Sequence, residues 1–166
     1  PKPSSAASDV YKRQEKTREL LKKSAPLFWE KKLEVTTRMY EILFERYPET
    51  KLLFKKFRSK QPNMFVAALM AHMMSIDDPE VLLSFRIGIA RSHVIAGVQE
   101  KHYPMLGDAL SSAMRELLSE QFDEEIFQAW EQWYYFFGNL LIERERDHYS
   151  GKPVSYTHLR AHETSL

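Results

Sequence analysis

Cysteine is absent from the 166 residues, which excludes disulfides, thiolate metal centres and cysteine nucleophiles and suits a reducing compartment. Glycine occurs only five times, and no stretch sustains the apolar–polar alternation of a half-buried strand. No apolar run approaches the ~20 residues needed to cross a bilayer, and no signal peptide is recognisable, so a cytoplasmic protein without a membrane partner is expected. An excess of either charge is missing too. Lys plus Arg number 24 against 23 acidic residues, so no strong field argues for nucleic acid or an anionic surface as partner. What the chain does have is apolar and aromatic side chains, 43% and 13% of the residues, enough to bury the core of one ordinary domain.

The two ends read as foreign. Residues 4–14, SSAASDVYKRQ, match the in-frame translation of a transposon sequencing adaptor, and residues 154–164, VSYTHLRAHET, match the opposite adaptor. Residues 1–14 and 153–166 are therefore expected to be adaptor-derived tails around a single domain at 15–152, from which further domains could have been cut away.

Within that domain, apolar residues recur at three- and four-residue spacing, which predicts an all-α fold. Over 33–44 one helical face collects Leu33, Thr36, Thr37, Tyr40, Leu43 and Phe44, so Tyr40 is expected to point inward. Pro48 breaks that helix, and 49–57 reads as a short helix carrying Leu52, Leu53 and Phe54, followed by a polar link at 58–60. Residues 61–76 show an apolar face through Phe65, Leu69, His72, Met73 and Ile76. Asp77, Asp78 and Pro79 then read as a helix end, an N-cap and an N1 proline. The helix that follows carries Leu82, Leu83, Ile87 and Ala90 towards His93, and 94–99, with Gly97, reads as a turn. Tyr103, Leu106, Leu110, Ala113 and Leu117 mark another helix. Asp123 should cap the last one, which buries Ile126, Trp130, Trp133, Phe137, Leu140 and Leu141 before turning charged over 143–147. Six or seven helices of unequal length do not suit an up-and-down four-helix bundle.

Two segments carry a resemblance to a known family. Residues 92–110, SHVIAGVQEKHYPMLGDAL, resemble the flavohaemoglobin segment in which a histidine precedes a tyrosine, a glycine and a leucine, here His93, Tyr103, Gly107 and Leu110. Residues 38–54, RMYEILFERYPETKLLF, are similar to the same family's distal-helix segment. The likeness is to bacterial globins, either the globin domain of flavohaemoglobins or single-domain bacterial haemoglobins, and implies a globin fold of six to eight helices around haem b, iron protoporphyrin IX. Carried over by position, it implies His93 as the axial iron ligand and Phe54 and Phe65 as haem-packing rings. Tyr40 and Gln61 become the distal donors to O2, NO or CO. It also implies a network behind the histidine built from Tyr103 and an acid, for which Asp147 stands at the family's glutamate position and Glu145 lies nearby. A neutral imidazole is a suitable iron ligand, and distal donors decide whether oxygen is held or released.

Each of these residues has a blander reading. A lone histidine on a helix is more often structural than a ligand, and His93 gains weight only through its joint occurrence with Tyr103, Gly107, Tyr40 and Phe54. His102 is the internal competitor, at a polar position entering a helix. His72 reads as a partly buried structural histidine and His148 as a solvated one, while His158 and His162 fall in the tail. Met73 and Met74, and the cluster Trp130, Trp133, Tyr134 and Tyr135, read as core. Lys55, Lys56, Arg58 and Lys60 read as a solvated face. In function, the resemblance implies gas binding and, with a flavin and NAD(P)H reductase domain or protein, conversion of nitric oxide to nitrate. The competing readings are a haem-based gas sensor cut from a longer signalling protein and a haem-free interaction protein on the same fold.

Overall fold

Every regular element among the described residues is a helix. The computed structural model describes residues 5–54, 61–74 and 79–150. Helix α1 (Ser5–Glu30) begins inside the adaptor-like segment and carries Pro26, which has no N–H to bond the preceding turn. After a single-residue bend at Lys31 the chain enters α2 (Lys32–Arg46), and then a 3-10 helix (Pro48–Phe54). Helices α3 (Gln61–Met74), α4 (Pro79–Ala96), α5 (His102–Leu118) and α6 (Glu124–Tyr149) complete the order.

Local chemistry sets several of these boundaries. Pro79 opens α4, where its missing N–H costs nothing. Helix α4 ends in a Schellman arrangement. Gly97, at φ 81°, donates to the Val94 carbonyl at 3.1 Å, and Val98 donates to the His93 carbonyl at 2.9 Å. His93 is thereby fixed in the last turn of its helix. Asp123 caps α6 as its position implied, accepting from the Ile126 N–H at 3.0 Å. The expected N-cap at Asp78, the polar link at 58–60 and the end of the third helix at Ile76 lie outside the described residues.

The inner face of α2 differs from the expected one. Leu33 and Thr37 are exposed, and the buried set is Val35, Thr36, Met39, Tyr40, Ile42 and Leu43. Helix α2 lies most closely on α5 and also meets α3, so two adjacent rows are covered and the stripe is turned away from Leu33. Of the short helix predicted at 49–57, the part up to Phe54 is a 3-10 helix in which Leu52 is exposed and Leu53 and Phe54 are half-buried, and 55–57 lie outside the described residues. Leu140 is half-buried as well.

Trp130 of α6 anchors the main core. Its ring stacks on Phe28 of α1 with centroids 4.7 Å apart, and its Nε1 donates to Ser24 Oγ at 2.9 Å. Burying such a side chain and pairing its one donor stabilises the α1–α6 contact by about 2–3 kcal/mol. A smaller cluster, Ala90, Tyr103, Phe137, Leu141 and Ile142, joins α4, α5 and α6. His72, read as partly buried, is in fact only 1% exposed, held between the rings of Trp133 and Phe137. Among the described residues neither of its ring nitrogens has a hydrogen-bond partner, and burial together with nearby Arg86 pushes its pKa down to about 3. No helix among the described residues is long and apolar enough to cross a membrane.

Candidate cofactor site

Between the helices lies a cavity of about 470 Å3, within the range of sites that take a cofactor. Its walls come from α2 (Tyr40, Leu43), the 3-10 helix (Phe54), α3 (Phe65, Leu69), α4 (His93), α5 (Tyr103) and α6 (Phe137, Leu141). The lining is predominantly apolar. Tyr40 stands among three rings, with centroids 5.9 Å from Phe44, 5.4 Å from Phe54 and 6.5 Å from Phe65. Burial raises its pKa, so its hydroxyl keeps its proton and can donate; among the described residues that hydroxyl has no protein partner.

Across the cavity the His93 ring is held from behind. Glu145, only 2% exposed, places Oε1 at 2.8 Å from His93 Nδ1 and accepts the Tyr103 hydroxyl at 2.6 Å. Tyr103 Oη lies 3.0 Å from the same Nδ1. An ionised carboxylate can only accept, and Tyr103 spends its proton on Glu145, so Nδ1 carries the imidazole proton. Nε2 is left with a lone pair on the cavity side. Burial, and then the bond to Glu145, raise the Tyr103 pKa and keep that hydroxyl a donor.

Two close approaches seat Tyr103. A Cβ on Gly138 would lie 3.1 Å from the Tyr103 ring, and one on Gly107 would lie 2.7 Å from Tyr134 Cε1. The Tyr134 hydroxyl in turn donates to the Tyr103 carbonyl at 2.7 Å. Glycine at both positions lets α5 and α6 approach until Tyr103 meets Glu145.

Of the residues expected at the site, His93, Tyr103, Tyr40, Phe54 and Phe65 share this one cavity wall. Gln61 is the first residue of α3, and its side chain lies outside the described residues. Asp147 is displaced from the role expected for it: the acid against His93 and Tyr103 is Glu145. Asp147 stands two residues further, about 200° round the helix, and is only half-buried. Gly138 and Tyr134 were not expected at the site. A glycine inside an aromatic helical run is the signal that could have found Gly138. His102, the rival for the iron ligand, lines the same cavity.

The family comparison agrees with this geometry. The family model for globins matches residues 37–139. This chain is a globin. It is 40% identical over 136 residues to an uncharacterised globin-like protein of Aquifex aeolicus, covering 82% of this chain and 96% of that one. It is 33% identical over 138 residues to a flavohemoprotein of Chromobacterium violaceum, covering 81% of this globin but only 34% of the flavohemoprotein. Among solved structures, an engineered carbene transferase from Rhodothermus marinus, described as a candidate nitric oxide dioxygenase, superposes with a TM-score of 0.76 at 36% identity, covering 81% of this chain and 94% of that one. Membership of the globins implies a haem cofactor, and the residues present fit it: an apolar slot, an imidazole nitrogen with a free lone pair on one wall, and an unpartnered hydroxyl at another.

Proposed function

We propose that this globin binds haem b between His93 and Tyr40 and takes O2, NO or CO on the Tyr40 side. With O2 as co-substrate supplying both added oxygen atoms, and one electron per turnover supplied by a flavin and NAD(P)H reductase, whether a fused domain or a separate protein, it converts nitric oxide to nitrate in the cytoplasm. The observation that carries the reading is the fixed His93 tautomer, with Nδ1–H held by Glu145 and Nε2 open to the cavity.

Haem would be held by His93 Nε2 and packed by Phe54 and Phe65, and when bound it supplies the iron that takes the gas and exchanges electrons. The residues of the chain do the rest. Glu145 and Tyr103 stop the His93 ring from rotating and make its free nitrogen a stronger donor. Tyr40 offers a hydroxyl proton to the bound gas, with Gln61 as the second donor. The rings around Tyr40 keep water from competing for that proton. The likeness to flavohemoproteins and to the Rhodothermus marinus enzyme supports the dioxygenase reading; the chain spans about a third of the flavohemoprotein length, so the reductase belongs to the proposal.

The test is an absorbance spectrum of the chain produced with haem supplied, taken ferric, ferrous and with carbon monoxide. Stoichiometric haem with a histidine-ligated spectrum is expected, and His93→Ala should no longer retain it. Normal retention by that variant would remove His93 from the iron, and a wild-type chain without haem would end the reading.

A further inference from the structure

Three of the side chains that line the cavity keep a polar atom without a protein partner among the described residues: the Tyr40 hydroxyl, His93 Nε2 and His102 Nε2. The other hydroxyls of the wall are engaged. Thr50 donates to the Tyr47 carbonyl, Ser92 to Gly88, Tyr134 to Tyr103, and Tyr103 to Glu145. The proposed function uses the first two free groups and leaves His102.

His102 is the first residue of α5, and its Nδ1 accepts the Gln99 N–H at 2.9 Å. That bond fixes the proton of the neutral ring on Nε2, so the free nitrogen is a donor, the reverse of His93. The surroundings favour an anion. The first turn of α5 holds no acidic residue, its N-cap Lys101 makes no side-chain cap, and Lys101 adds a second positive group. The acid that acts on His102 is Glu49, which is exposed on the 3-10 helix.

We propose that His102 fixes the carboxylate edge of haem, donating Nε2–H to one of its propionates. The proposal rests on the haem reading above. A porphyrin brings three polar demands to an apolar slot, an axial nitrogen, a donor for the gas and a partner for its carboxylates, and the cavity holds three free groups of matching chemistry.

The test uses the full chain loaded with haem or with haem dimethyl ester, which lacks the carboxylates, and follows loss of each to an excess of an apo haem acceptor. His102→Ala should speed loss of haem about tenfold and leave loss of the diester within about twofold. His102→Gln, which keeps an N–H, should recover part of the difference. Equal acceleration of both would make His102 a mere structural part of the α5 turn and overturn the proposal. So would no acceleration of either, or a changed iron spectrum that made His102 a ligand. A wild-type chain without haem would refute the underlying reading instead, which separates the two failures.

Discussion

Glu145→Gln is the substitution on which the geometry speaks most directly. It keeps the side-chain volume and one accepting oxygen while removing the charge that takes both the Tyr103 hydroxyl at 2.6 Å and the His93 Nδ1–H at 2.8 Å. Hydrogen bonds to a charged group contribute about 1.5–3 kcal/mol, against about 1 kcal/mol for neutral pairs. The His93 bond should therefore weaken by roughly 1–2 kcal/mol. Fold stability should change less, because glutamine also avoids the cost of burying a carboxylate. The electronic effect has no such offset. An anionic acceptor on Nδ1–H makes Nε2 more basic and favours the higher oxidation state of a bound iron. For a one-electron couple, 59 mV corresponds to a tenfold change or about 1.4 kcal/mol, so the midpoint potential should rise by roughly 40–80 mV. A spectroelectrochemical titration measures it, and the iron–histidine stretch in resonance Raman should fall in parallel. Asp147→Asn should move neither, since Asp147 lies outside the network. An unmoved potential in Glu145→Gln, or an equal rise in Asp147→Asn, would refute the reasoning.

Tyr40→Phe removes the cavity's free hydroxyl, and loss of one charge-assisted bond should raise the oxygen dissociation rate at least tenfold in stopped flow; an unchanged rate would place Tyr40 outside the gas site. His72 titrates in the folded protein at about 3, well below its unfolded value near 6.5. Between those values the unfolded chain takes up a proton that the native one refuses, so native stability is complete above pH 6.5 and falls as the pH is lowered towards 3, by roughly 2 kcal/mol at pH 5. His72→Leu should remove most of the loss between pH 7 and pH 5 in denaturant titrations, and an identical loss in both proteins would assign it to other groups. Gly107→Ala should cost about 1–3 kcal/mol through its clash with Tyr134, outweighing the helix-propensity gain. Gly88→Ala meets nothing within 4 Å and should stabilise by up to ~1 kcal/mol, so equal midpoints for the two variants would mean that Tyr134 swings aside at no cost.

How far the fold could be read in the sequence depended on the range of the interactions that set each part. The starts at Pro79 and Asp123 are decided within a few residues and lie where the sequence puts them, whereas the turn expected over 94–99 begins only at Gly97, because α4 runs on to Ala96. The face of α2 depends on which neighbours cover it. Periodicity found one row through Thr36, Tyr40 and Leu43, whereas contact with α5 buries the adjacent row of Val35, Met39 and Ile42 as well. The site divides along the same line. His93 and Tyr103 are ten residues apart across one turn, and their pairing follows from local spacing once the family segment is seen.

The acid completing that pair comes from 52 residues beyond His93, where several acids stand close together along α6. A family likeness states that an acid belongs there, but only the crossing of α6 over α4 and α5 selects which one. Glu143 faces out and Asp147 is half-buried, whereas Glu145 is buried on the side that meets Tyr103. The close approach at Gly138 brings the Tyr103 ring onto α6 and so into reach of Glu145, which makes that glycine as much a determinant of the network as the acid itself. An aspartate at 145 would be one methylene too short for an unshifted backbone to bridge both partners. The register of α6, as well as its composition, therefore controls the nitrogen that His93 offers to the cavity.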